Sequence, residues 1–223
     1  MSRVSVMWLG LGALVGGVML VLSPVSAGAT LRQTPMPGNL LFQDDFATYS
    51  HRWRTDESPK AAVAYRDDSL NMRVVSPGVS VWSVPDFDLN VASYSVEVTA
   101  EVHGGSPDSM FGLVLHYAND DDFFALVVAL DGTWLWLCHQ DDEWVDLTPP
   151  GTERFERDGE EPAVHLRVDV LGERVALWLD GEPVGDVTLD SAGTGRVFGL
   201  ITRAGRGYVD VSFDDFVARA IVE

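Results

Sequence analysis

The sequence predicts an all-β chain in which two antiparallel sheets pack face to face as a sandwich. Three observations lead there. From residue 40 onward apolar residues alternate with polar ones, the period of a half-buried strand. The alternating runs recur about every eight to twelve residues, with Gly, Asp or Pro between them, as packed antiparallel sheets require. No long helical pattern intervenes, which disfavours the crossover connections of a parallel sheet.

The clearest strand is 94–103, where Val96, Val98, Ala100 and Val102 share one face and Glu97, Thr99, Glu101 and His103 the other. A Gly-Gly-Ser-Pro-Asp turn leads to a strand over 111–118. The run 123–130 is continuously apolar, the pattern of a strand covered on both faces. Asp131-Gly132 forms a hairpin into 133–139, and 144–147 adds a short strand. In the second half, 164–171 turns at Gly172-Glu173 into 174–179, and Asp180-Gly181 turns into 183–189. Strands over 197–203 and 208–217 close the domain. The hairpins are not copies at a fixed period, which disfavours a propeller.

Residues 1–29 read as an export signal. Arg3 gives the positive start, 6–22 carry no charge, and Pro24 breaks the run. Small residues follow at Val25-Ser26-Ala27 and again at Ala27-Gly28-Ala29. The alternative is an uncleaved membrane anchor, because the run is long for a signal and near the minimum for a span. Either reading implies an extracellular or cell-envelope location, with membrane contact only through this segment. Residues 30–39 read as a linker and 40–223 as one domain.

The formal charge of −19 argues against nucleic acid and anionic membrane surfaces, which need clustered Lys and Arg. Lys60 is the sole lysine. The lone Cys138 excludes an internal disulfide and reads as a buried hydrophobe.

Several blocks carry a family likeness. They are Phe111-Gly112-Leu113-Val114-Leu115-His116-Tyr117, Asn119-Asp120-Asp121-Asp122-Phe123-Phe124, Leu130-Asp131-Gly132-Thr133-Trp134 and Glu143-Trp144. Later come Val175-Ala176-Leu177-Trp178-Leu179-Asp180-Gly181, Phe198-Gly199-Leu200-Ile201 and Phe213-Asp214-Asp215-Phe216, and the domain opens on Phe42-Gln43-Asp44-Asp45-Phe46. Over residues 40–219 the chain resembles the concanavalin A-like lectin/glucanase superfamily, in particular bacterial extracellular laminin-G-like and 3-keto-disaccharide hydrolase-like jelly rolls. The resemblance implies two curved sheets, ligands on the concave face or rim loops, and calcium as a structural ion. These motifs specify turns and core, so they speak to fold more than to function. The Glu-x-Asp-x-x-Glu strand motif of the superfamily's β-glucanases is missing.

Glu97 and Glu101 share a strand face, but at about 3.3 Å rise per residue their backbones stand roughly 13 Å apart. Glycosidase carboxyls sit about 5–5.5 Å apart in retaining enzymes and about 6.5–9.5 Å in inverting ones. A solvated strand face accounts for this pair better than a catalytic dyad.

Tryptophan is abundant. Trp134 and Trp136 share a face with Cys138 and read as core. Trp178 lies opposite Val175, Leu177 and Leu179 and is the better candidate for an exposed sugar-stacking platform. Trp82, His116 and Arg203 complete the candidate ligand-binding set, with His116 expected on the face opposite Leu115 and Tyr117. Asp44-Asp45 near the start and Asp214-Asp215 near the end meet if the first and last strands pair. They then offer oxygens to Ca²⁺; the alternative is local capping of backbone N–H groups. Asn119-Asp120-Asp121-Asp122 reads as a solvated hairpin tip. No nucleophile elbow, metalloprotease, phosphate-loop or dinucleotide motif occurs.

The function these features favour is a secreted or envelope-attached, non-catalytic module that binds a glycan or a cell-surface protein. The alternatives are a glycoside-processing enzyme whose acids come from separate strands, and a structural envelope domain without a ligand.

Overall fold

A computed structural model describes residues 36–152, 154–155, 163–189 and 195–222. The signal read over 1–29 lies outside the described residues. In chain order the strands are β1 (Met36–Asp44), β2 (Asp56–Glu57), β3 (Ala61–Arg66), β4 (Ser69–Val74), β5 (Ser80–Ser83), β6 (Ser93–Gly105), β7 (Met110–Asn119) and β8 (Asp122–Ala129). They continue as β9 (Trp134–Gln140), β10 (Glu143–Asp146), β11 (Ala163–Leu171), β12 (Arg174–Leu179), β13 (Glu182–Thr188), β14 (Val197–Arg203) and β15 (Val209–Val222). β1 opens at Met36, inside the linker read from the sequence.

All strand pairs are antiparallel and form two sheets. The larger, of nine strands, runs β13-β12-β11-β6-β15-β4-β3-β2, with β1 also paired to β15. The smaller, of six, runs β10-β9-β8-β7-β14-β5. Among the described residues there is no helix.

The alternation read along β6 is what the fold uses. Tyr94, Val96, Val98 and Ala100 are buried, together with Val164, Leu166, Val168 and Val170 of β11. They meet Phe111, Leu113, Phe124, Leu126, Trp134 and Trp136 of the smaller sheet in one core. Trp134 and Trp136 are therefore core residues, and half-buried Cys138 packs against that core with its thiol pKa raised by burial.

At one end an aromatic cluster ties the sheets together. Phe42 of β1 lies 5.9 Å from Trp53, 5.5 Å from Phe198 of β14 and 5.8 Å from Phe216 of β15. Edge-on contacts of this kind add to the area the rings bury.

Strict alternation fails at two bulges, each marked by a non-glycine residue with positive φ. On β15 Asp215 (φ 52°) sits in the register shift between Asp214 and Val217, so Phe213 and Phe216 both turn inward. On β7 His116 (φ 51°) sits in the shift between Leu115 and Asn119. The expectation that His116 faces away from both Leu115 and Tyr117 is corrected here. The extra residue turns Tyr117 onto the outer face beside Val114, while the His116 ring lies 6.3 Å from core residues Tyr94 and Phe124.

Phe216 is fully buried at the junction of the chain's first and last strands. Truncation to Ala is expected to cost about 3–5 kcal/mol, as for buried aromatics generally. Denaturant unfolding of Phe216→Ala at an unchanged m-value checks this.

Candidate functional site

A cavity of about 840 Å³ lies where β5, at the edge of the smaller sheet, meets the segment from Arg54 through β3 and the hairpin tips at Asp120 and Asp142. Behind the Trp82 and Trp144 rings that line it lies Phe123 of β8. Residues 123–129 are all buried, because the outer face of this strand is apolar as well as the inner. Phe123, Val114, Ala125, Val127 and Ile201 form a second apolar cluster on that outer face.

Aromatic rings gather around Phe123. Trp82 lies at 5.1 Å, His139 at 5.0 Å and Trp144 at 5.6 Å, with His139 and Trp144 at 4.5 Å from one another. Trp82 and Trp144 are half-buried and line the cavity. Each thus keeps ring surface for a ligand while packing on a fixed base.

One carboxylate oxygen organises the polar wall. Asp120 Oδ1 accepts hydrogen bonds from Tyr117 Oη (2.7 Å), Trp82 Nε1 (2.9 Å) and Arg54 Nη1 (3.1 Å). The Tyr117 and Trp82 bonds, helped by the Arg54 charge, hold the Asp120 pKa below its ordinary value. Arg54 also donates to Tyr117 Oη at 2.9 Å, and its guanidinium stands 5.4 Å from the Tyr117 ring centroid. Ser83 of β5 donates to the Arg54 carbonyl at 2.8 Å, fixing the segment that carries it. The Asn-Asp-Asp-Asp tip is therefore more than a solvated turn at Asp120. Sequence spacing hid this, because Trp82 and Asp120 are 38 residues apart.

The residues singled out from the sequence fall into separate places. Trp82 is in the cavity wall. Arg203 of β14 reaches Ser80 Oγ at 3.4 Å, and Ser80 lines the cavity. Trp178 is on the other sheet, on β12, half-buried, with the Arg167 guanidinium 5.7 Å from its ring. Arg167 is itself held by two bonds to buried Asp169, at 2.8 and 2.9 Å. His116 is at the rim of the sandwich interior. Trp178, His116 and Trp82 are thus not brought into one site.

The strand-end acids do approach one another. Asp44 pairs in register with Phe216. Its carboxylate accepts from the Phe46 N–H (2.9 Å) and from Ser50 Oγ (3.0 Å), the local capping pattern. Asp45 accepts from the Ala47 N–H and Asp214 from the Asp215 N–H. Burial, then the charges of Asp215, Asp45 and Asp68, raises the Asp214 pKa. Among the described residues no three His, Cys, Asp or Glu side chains gather in metal-holding geometry. Glu97 and Glu101 each face a histidine, His165 at 3.7 Å and His103 at 3.8 Å.

No family model and no curated protein matches the sequence. Solved structures do match. Carbohydrate binding module CBM66 from Bacillus subtilis superposes with a TM-score of 0.56 at 14% identity, over 75% of this chain and 95% of that one. A Bacillus subtilis protein of unknown function with a galectin-like fold gives 0.60 at 11% identity, over 85% and 100%. The catalytic domain of an endo-1,3-beta-glucanase (laminarinase) from Thermotoga petrophila RKU-1 gives 0.55 at 9% identity, over 85% and 100%. The chain has the concanavalin A-like fold. Within this concanavalin A-like sandwich, a binding module, a protein of unknown function and a catalytic domain superpose about equally well, so the fold leaves the activity to be argued from the site.

Asp120 and Asp214 titrate in opposite senses. The lowered pKa of Asp120 gives stability present above the ordinary carboxylate value of 3.8 and lost as pH falls through the folded value. Asp120→Asn is therefore expected to lower the melting temperature at pH 7, with the gap to wild type closing in acid. The raised pKa of Asp214 is a penalty on the ionised form, present above the folded value and absent below 3.8. Asp214→Asn is expected to melt higher than wild type at pH 7 and equal to it at pH 3. Melting curves between those pH values check both signs.

Proposed function

We propose that this chain is a non-catalytic carbohydrate-binding module whose ligand lies in the cavity between Trp82 and Trp144. The observation that carries the reading is the Asp120 carboxylate. It locks the Trp82 indole, the Tyr117 hydroxyl and the Arg54 guanidinium onto one wall beside two half-buried tryptophans. Sugar rings are recognised by that combination, a flat aromatic surface for the C–H face and fixed polar groups for the hydroxyls. The Asp120 Oδ2 atom, which accepts no hydrogen bond from a described residue, is the acceptor left for a ligand hydroxyl.

The state of that carboxylate is that of a fixed acceptor and not of a proton donor. A general acid for glycoside cleavage needs a raised pKa, and three donors hold Asp120 the other way. The carbohydrate-binding neighbour in fold supports the same reading. The export signal read in the sequence supports a site of action outside the cell or at its envelope.

A hydrolytic reading finds one supporting feature elsewhere. A polar groove of about 490 Å³ on the larger sheet is lined by Glu101, Asp210 and Asp214, and the Asp214 pKa is raised. Under that reading Asp214→Asn abolishes glycoside turnover while Trp82→Ala leaves it intact.

The test is affinity measurement of the domain against xylan, β-1,3-glucan and mucin glycans, with circular dichroism as the control for folding. Trp82→Ala is expected to weaken binding about tenfold, the scale of a lost aromatic platform. Trp178→Ala is expected to leave it unchanged. Binding lost in Trp178→Ala and kept in Trp82→Ala would falsify the assignment.

A further inference from the structure

The cavity lined by Trp82 and Trp144 has a charge pattern that its aromatic wall does not explain. Its charged lining is Arg54 and Lys60 against Asp56, Asp120, Asp121 and Asp142. Arg54 and Asp120 pair with one another at 3.1 Å. Asp56, Asp121 and Asp142 are exposed, and none forms an ion pair among the described residues. Even with Lys60, the chain's sole lysine, set against them, two negative charges are left over. The chain as a whole carries −19, so no general excess of cations offsets them.

A second observation marks the same cavity as a place for a polar ligand. His139 is only 5% exposed and lines it, with its ring 4.5 Å from Trp144 and 5.7 Å from Trp82. Its Nδ1 is enclosed without a partner. Its Nε2 keeps some surface, and no described residue bonds to it. Polar groups on so buried a residue are nearly always paired, so both free nitrogens need a reason.

Resting on the glycan-binding reading of this cavity, we infer that its ligand is an amino sugar with the amine free, as in a glucosamine oligomer. The sugar ring lies on the tryptophan surface and one of its hydroxyls meets His139 Nε2. A hydroxyl both donates and accepts, so it pairs with that nitrogen in either tautomer of the ring. The ammonium is three donors and no acceptor, and it goes to the carboxylates of the rim, Asp120, Asp121 and Asp142. Asp120 gives Oδ1 to three donors and keeps Oδ2 open. Those bonds keep it ionised below the usual carboxylate range. The indole faces add to the attraction, since an aromatic face draws a cation. An anionic sugar would find only Lys60 unpaired among the described residues of this lining.

The experiment measures the affinity of the whole chain for β-1,4-linked glucosamine and N-acetylglucosamine oligomers of equal length, by calorimetric titration at low salt. Circular dichroism is the control for folding. The free amine is expected to bind about tenfold more tightly, the scale of one charge-assisted hydrogen bond, and the preference to shrink in high salt. Asp121→Asn and Asp142→Asn are each expected to narrow it about threefold, the scale of an exposed ion pair. Asp142 stands at φ 63°, a conformation that asparagine also adopts, so this variant keeps the hairpin tip. Glu173→Gln, on the β11–β12 turn outside the cavity, is expected to leave the preference unchanged. A preference that falls as far in Glu173→Gln as in Asp142→Asn comes from general charge and overturns the inference. Equal affinity for the two oligomers, or tighter binding of the acetylated one, overturns it while the glycan-binding function stands. Binding of neither oligomer overturns it too, and takes the glycan-binding function with it only if xylan, β-1,3-glucan and mucin glycans also go unbound.

Discussion

The structure depends on holding two sheets in register at the end where the chain's first and last strands meet. Phe42, Trp53, Phe198 and Phe216 do this with rings 4.9 to 5.9 Å apart, contributed by β1, the segment before β2, β14 and β15. Trp53 is also bridged to Pro85, so the cluster fixes Arg54 relative to β5. The bulge at Asp215 is part of the same device, since without it Phe216 would face solvent. Aromatic packing outside the cavity lined by Trp82 and Trp144 thus decides where that cavity's arginine stands.

From that anchor the site is assembled by one acceptor. Asp120 gathers side chains from β5, β7 and the segment before β2, and the aromatic base of Phe123 and His139 keeps Trp82 and Trp144 from collapsing inward. The cost of ordering three side chains is met in the folded domain before any ligand arrives, which is how pre-organised sites gain affinity. The bulge at His116 turns Tyr117 outward to Asp120 and sends the imidazole inward to Tyr94.

Much of the fold was legible in the sequence, because alternation reports burial directly. The strands over 94–103, 164–171 and 174–179 lie where the pattern puts them, and the two-sided burial of β8 follows from its unbroken apolar run. The strands before residue 90 were harder to read, since β2 has only two residues and β3, Ala-Ala-Val-Ala-Tyr-Arg, does not alternate apolar with polar. The bulges escaped because their residues, His116 and Asp215, carry no glycine to announce a positive φ. Alternation gives a residue's face but not its neighbours across the sheet. Trp178 and Trp82 therefore looked alike in sequence, while the fold sets them on different sheets. Asp120 escaped for the same reason, two of its partners, Trp82 and Arg54, lying 38 and 66 residues away.

The most direct measurement is the indole ¹H–¹⁵N spectrum of the domain during titration with the glycan it binds. If the ligand sits on the wall built by Asp120, the Trp82 and Trp144 resonances shift together and saturate at one affinity, and Trp178 does not move. A shift at Trp178, with Trp82 and Trp144 unperturbed, would contradict the account and transfer the binding face to the larger sheet.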